Sequence, residues 1–304
     1  MASRSDTFLT SSGPIASSRQ IRPTRIAILL GSKLFGTSTP QPEVRSALAH
    51  DFFPLNVRIF SVLEMTPAGM SDLVSSPDYD VVGLIGEADE FDFPRKKSSG
   101  SSRFRLKTSG GESESQRDND SIVLAFAPST QFKDVKKYLK IADAIVFCDA
   151  SGRNWSQEMS KVIYHFFESL VVPSMLNIDL ADVKHIAKGI GLAFSITDDS
   201  NNKIIARLPK SCLVARSALL HFSCDPDVRL KEVYSISKAI ALKKGISNFD
   251  SQINSHADAK RLIRKVNVKM GIRIRNANKR ESPVVGPALT DGKRISLTAI
   301  LFGL

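Results

Sequence analysis

A series of short apolar runs, each ended by glycine or a polar turn, limits this chain more than any other feature. Arg25-Ile26-Ala27-Ile28-Leu29-Leu30 stops at Gly31, and Asp80-Val81-Val82-Gly83-Leu84-Ile85-Gly86 repeats the pattern. Runs this short, without polar alternation, suit strands buried on both faces. Asn56 to Phe60, Ile122 to Phe126 and Ala144 to Phe147 read as further strands, with helical stretches at Pro42 to His50 and Asp134 to Ile141. Strands alternating with helices imply an α/β layer built on a mostly parallel sheet.

The second half changes character. Trp155 to Leu170 carries apolar residues at Met159, Val162, Ile163, Phe166, Phe167 and Leu170, a spacing of three and four that predicts a buried helix. A short segment at Val183 to Ile186 follows, then strands at Ile190 to Ile196 and Ser217 to Phe222. An amphipathic helix spans Leu230 to Leu242, with Gly245 as its expected stop. Alternating strands at Val266 to Ile274 and Arg294 to Phe302 close the chain.

Composition excludes several classes. With 304 residues, 42% hydrophobic and 24% charged, the chain can bury a proper core. No apolar run approaches the roughly 20 residues of a membrane span. Cys148, Cys212 and Cys224 form no CxxC pair and suit buried thiols in a reducing compartment. The five histidines are scattered, so no metal site is expected. Residues 1–24 are rich in Ser and Thr with Arg4, Arg19 and Arg22, which suits a flexible tail or a short organelle-targeting peptide. Residues 94–120 are polar and low in complexity, a disordered insertion. The net charge of +11 favours an anionic partner: nucleic acid, a membrane surface or an acidic protein. Much of it lies between Lys260 and Arg280, including Lys265, Lys269, Arg273 and Arg275. That tract has no aromatic ladder for stacking bases, which argues against single-stranded nucleic acid.

The informative stretch runs from Pro173 through Asn177-Ile178-Asp179-Leu180-Ala181-Asp182-Val183 to Lys188-Gly189-Ile190-Gly191. It resembles the loop after the central helix of FtsZ, an N-x-D-x-A-D-V run that follows a Pro and precedes a Gly-rich strand. Alone, Asp-x-x-Asp is also the ordinary signature of a helix-capping turn. Further blocks follow in the family's order. Leu219 to Val233 looks like a strand, a turn and the start of a helix, Val268-Lys269-Met270-Gly271 like the next strand, and Asp291 to Gly303 like the closing strand. The resemblance covers residues 155–304 and identifies the chain as a divergent member of the FtsZ/tubulin superfamily. It implies a Rossmann-like nucleotide domain at 25–153, a central helix and loop at 154–177, and a C-terminal α+β domain with a mixed sheet at 178–304. It also implies GTP and Mg as ligands, FtsZ-type subunits as partners, and Asn177, Asp179 and Asp182 as the catalytic loop. In the family that loop enters the nucleotide site of the next subunit and positions the attacking water, work that suits two carboxylates three residues apart.

The amino-terminal half departs from the family. Two glycine-rich loops should hold the phosphates, because only Gly lets backbone N–H groups close around a polyanion. The first position reads Gly31-Ser32-Lys33-Leu34-Phe35-Gly36, with two glycines and a bulky pair. The second, where the family has G-G-G-T-G-T-G, reads Gly86-Glu87-Ala88-Asp89-Glu90-Phe91-Asp92, whose carboxylates oppose a triphosphate. Counted back from Asn177, the family's base-stacking aromatic falls at Gly152 and its guanine-reading Asp at Gln157, which discriminates less. Gly31, Gly36, Gly86 and Gln157 are therefore degenerate GTP-site positions, and tight GTP binding is not expected.

The sequence thus describes a pseudo-GTPase that associates head-to-tail with FtsZ filaments and modulates or caps them. A self-polymerising GTPase is the alternative, and a basic nucleic-acid- or membrane-binding module on an inert scaffold is a second. A bacterial cytoplasmic division site is the expected location, with plastid stroma as the alternative. Since Leu304 directly follows the last strand, tethering through a terminal peptide is not expected.

Overall fold

The computed structural model describes residues 24–31, 57–91, 93, 121–148, 155–243, 265–275 and 294–304. The amino-terminal tail to residue 23, the expected helix at Pro42 to His50, Gly36, Gly152, the insertion from 94 to 120 and Gly245 lie outside these residues.

Among the described residues nine strands form one sheet in the order β2-β1-β3-β4-β5-β6-β9-β7-β8. They are β1 (Ile26–Leu30), β2 (Val57–Ser61), β3 (Val81–Ile85), β4 (Ile122–Pro128), β5 (Ala144–Cys148), β6 (Gly189–Asp198), β7 (Ser217–Cys224), β8 (Asn267–Ile274) and β9 (Ile295–Phe302). The first six are parallel where they pair. β9 lies antiparallel between β6 and β7, and β8 extends β7 in parallel. The apolar runs of β1, β3, β4 and β5 are buried throughout, as strands covered on both faces must be. β9 is buried along its whole length as well, so its sequence alternation marks no solvent face. Its central place, with packed layers on either side, is the reason.

The helices are α1 (Pro67–Val74), α2 (Val135–Ile141), α3 (Trp155–Val171), α4 (Leu180–Ile186), α5 (Asn201–Ala206), α6 (Ser211–Val214) and α7 (Leu230–Leu242). Thr66 caps α1 by accepting from the Gly69 N–H at 3.1 Å, and Pro67 supplies a helical φ at its first position. α3 lays Met159, Val162, Ile163, Phe166 and Phe167 across one face, against β1, β3, β4 and β5 and also against Leu219, Ile300 and Phe302. One helix therefore packs on both halves of the sheet. α1 and α2 cover the opposite face of the parallel strands through Met70, Val74, Tyr138 and Ile141. α7 covers β7, β8 and β9 through Val233, Ile236 and Ile240. It ends at Leu242, three residues before Gly245 in sequence, and Lys243 takes the left-handed capping conformation at φ 56°.

The three cysteines are free and buried. Desolvation pushes the thiols of Cys212 and Cys224 up to about 12, so they stay neutral and serve as small apolar groups.

One polar cluster crosses this core. Glu168 of α3, only 1% exposed, meets Arg273 of β8 in an ion pair, His221 Nε2 of β7 at 3.2 Å, and the Tyr164 hydroxyl, which donates at 3.0 Å. Beside it His165 Nδ1 lies 2.6 Å from the Thr298 hydroxyl of β9, and the two imidazoles stand 5.3 Å apart. Charged side chains this deep persist only with such partners.

Candidate functional site

The described residues among those singled out above fall toward two opposite edges of the sheet. β1 and β3 both run toward one edge and end at Gly31 and Gly86. β6 starts at the other edge, where Gly189 pairs with Ala144 at the beginning of β5. The 17-residue α3, about 25 Å long at 1.5 Å per residue, carries the chain between them. Asn177, Asp179 and Asp182 therefore lie far from the degenerate phosphate loops of the same chain.

The loop after α3 is fixed from two sides. Leu176 exchanges both backbone hydrogen bonds with Ile272 of β8, accepting at 2.7 Å and donating at 3.2 Å. The Asn177 side-chain carbonyl accepts from the Ser174 N–H at 3.0 Å and from the Ser174 hydroxyl, which orients the amide on the surface. Asp179 caps α4, accepting from the Asp182 N–H at 2.7 Å. Asp182 pairs with Lys269 of β8, and this contact above all holds the Lys269 ammonium above its ordinary range. Asn177 and Asp179 are exposed, and Asp182 is half-buried. The capping role is thus real for Asp179, and it leaves the carboxylate facing solvent in a set orientation. Met175 and Leu176 add apolar surface beside it, at 59% and 38% exposure.

Lys269 is a loop partner that sequence reasoning placed in a strand and a basic tract, without its carboxylate. The described members of that tract are largely paired: Lys269 with Asp182, Arg273 with Glu168, and Arg275 with Asp225 at 3.0 Å. A cation already matched by a carboxylate has little left for phosphates. The expected cationic face is therefore not present among these described residues.

At the other edge the Gly31 N–H donates to the Ile85 carbonyl at 2.7 Å, and Gly31 and Gly86 pack Cα against Cα. A Cβ on either would lie within about 3 Å of the other's backbone, so both positions need Gly. Gly86 is held further by the buried Tyr138 hydroxyl, which donates to its carbonyl at 2.8 Å. The next residues form a single 3-10 turn, Ala88–Phe91, instead of a helix aimed at a phosphate. Glu90 folds back and accepts from the Glu87 N–H at 3.0 Å, while Asp89 pairs with Lys137 at 2.9 Å. Gln157 lies in the first turn of α3. Among the described residues the turn after Gly86 carries Glu87, Asp89 and Glu90 where the family has a glycine-rich loop. No group of three or more His, Cys, Asp or Glu among the described residues could hold a metal ion. No described helix is long and apolar enough to cross a membrane.

Comparison with known proteins follows the same line. No family model matches the chain. A curated relative, cell division protein FtsZ 2 of Methanocaldococcus jannaschii, is 28% identical over 137 residues, 40% of this chain and 32% of the relative. The chain thus matches about a third of that relative's length. Among solved structures, an empty FtsZ dimer of M. jannaschii aligns with 93% of this chain and 89% of its own, at TM-score 0.55 and 9% identity. A Trp-to-Tyr variant of FtsZ from that organism aligns with 93% of this chain and 92% of its own, at TM-score 0.52 and 9% identity. At such identities the likeness speaks for the fold. The chain therefore has the mixed α/β fold of FtsZ, with a sequence far removed from it.

Proposed function

We propose that the protein joins FtsZ-type filaments through one face only and there modulates or caps their assembly and GTP hydrolysis. The observation behind this reading is the contrast between the two edges. The Asn177/Asp179/Asp182 loop is bolted to β8 and presented to solvent. At the opposite edge the described residues after Gly86 form an acidic 3-10 turn instead of a helix start, which supports a weakened phosphate site. A subunit with two working unlike faces extends a filament indefinitely, whereas one with a single working face ends it. Docked on a GTP-bearing neighbour, Asp179 would accept a hydrogen bond from the attacking water, and Asn177 would help to place it. The net charge of +11 would speed the encounter with an acidic filament. The protein would then work at the division site, where such filaments assemble.

The test adds the protein in equal amount to an assembling FtsZ and follows GTP turnover and sedimentable polymer. A change in turnover of several-fold is expected. The Asp179→Asn variant keeps the capping oxygen and loses the charge, so it is expected to fold normally and to lose most of the effect. Turnover and polymer unchanged by the wild-type protein would refute the reading.

A further inference from the structure

α2 and the turn before it combine exposed apolar side chains with unmatched positive charge. Tyr138 and Ile141 commit one side of the helix to the core. On the other side Phe132 stands 56% exposed in the 3-10 turn Ser129–Asp134. Leu139, seven residues on and so about two turns away on the same side, is 38% exposed. The Phe132 ring rests on Phe147 at 5.2 Å, and Phe147 adjoins Leu192 of β6, which is half-buried together with Ile190. The apolar surface thus continues from the helix onto the sheet. Lys133, Lys136 and Lys140, spaced by three and four, form an exposed ridge beside it. Asp89 and Asp134 both lie against Lys137, at 2.9 and 3.1 Å, and no described residue pairs with the other three lysines. Glu87 and Glu90 act on the core side of the helix, at the buried Tyr138 hydroxyl.

We propose that this face of α2 docks on an anionic lipid surface. Three unmatched ammonium groups on one ridge complement a layer of negative charge, and each gains from the potential of acidic headgroups. Two protruding apolar side chains beside them need an apolar layer just below that charge. A bilayer interface supplies both layers at the right depth, whereas an acidic protein surface supplies the first alone. Because Tyr138 and Ile141 hold the far side of the helix in the core, only Phe132 and Leu139 enter the interface, and the contact is shallow and reversible. α2 covers the face of the parallel strands opposite α3, while the Asn177/Asp179/Asp182 loop is bridged to β8, so docking leaves that loop free. The inference therefore goes beyond the one-faced reading and stands or falls without it.

The test is co-sedimentation of the full chain with vesicles of phosphatidylglycerol and phosphatidylcholine in equal parts, compared with vesicles of phosphatidylcholine alone. The wild-type protein is expected to bind the acidic vesicles only, and less as salt rises. The triple variant Lys133→Glu, Lys136→Glu, Lys140→Glu should bind them at least about tenfold more weakly. Phe132→Ser should bind several-fold more weakly and keep its salt dependence. A control with the same change of charge, Lys210→Glu, Lys231→Glu, Lys238→Glu at exposed positions around α6 and α7, should keep most of the binding. Every substituted residue is exposed, and circular dichroism checks that each variant is folded. Wild-type protein that ignores the acidic vesicles would overturn the inference. A triple variant of α2 that binds like wild type would do the same, since the contact would lie elsewhere. A control as weak as the α2 variant would reduce the binding to diffuse attraction by the net charge of +11. Polyglutamate bound as tightly as the acidic vesicles, and equally by Phe132→Ser, would overturn the lipid assignment and give the face to an acidic protein.

Discussion

Glu168→Ala is expected to lower the stability of the whole protein by about 3–5 kcal/mol, the usual cost of stranding a buried partner charge. Glu168 holds together three elements of the fold: Arg273 of β8, His221 of β7 and its own helix through Tyr164. Removing the carboxylate takes from the Arg273 guanidinium, at 14% side-chain exposure, its buried ion-pair partner on α3. Urea unfolding read by tryptophan fluorescence measures the loss. Pairing Glu168→Ala with Arg273→Met removes the stranded charge and should restore at least half of it. A single variant within about 1 kcal/mol of wild type would show that the cluster is solvated and contributes little.

The same cluster should make the protein acid-sensitive between pH 7 and pH 5. Burial is the first cause that lowers the pKa of His221, to about 4, against an ordinary value of 6.5. His165 is lowered in the same direction, first by burial and then by His221, Arg273, Lys161 and Arg275. A histidine depressed in the folded state binds its proton in the unfolded chain first. Stability is therefore complete above pH 6.5 and drains away as pH falls toward the folded value. At pH 5 the linkage from His221 alone is on the order of 2 kcal/mol, and His165 adds to it. Glu168 near His221 opposes this trend by favouring the imidazolium, but it also binds Arg273, so desolvation prevails. Unfolding free energies at pH 7, 6 and 5 should fall steadily, and His221→Asn should flatten the curve. A profile level from pH 7 to pH 5 would contradict it.

How much of this could be read from residue order depends on the distance over which each feature is built. Ile26–Leu30 and Val81–Ile85 were legible because a strand buried on both faces writes its burial into consecutive residues. α3 was legible because its apolar positions repeat within each turn. α1 was passed over although Thr66-Pro67 carries a cap and a first-turn proline, because Gly69 and Ser71 weaken its helical pattern. The bounds of α7, Leu230 to Leu242, were legible from its periodicity, whereas the left-handed cap falls on Lys243, which nothing in its side chain announces. The candidate site was legible only as types and spacing. Asp179 and Asp182 stand three apart, which shows in the sequence as a cap. That Asp182 pairs with Lys269, or that Glu90 rests on Gly31, depends on strands meeting across 87 and 59 residues. The charge tract misled in the same way, since Arg273 and Arg275 find their carboxylates on α3 and after β7.

Calorimetric titration of the purified protein with GTP in the presence of magnesium tests the one-faced account most directly. The account expects no saturable heat up to millimolar nucleotide, because an acidic turn follows Gly86 in place of a glycine-rich phosphate loop. Micromolar binding with one site per chain would contradict it, and would make the protein a self-sufficient GTPase subunit with two working faces.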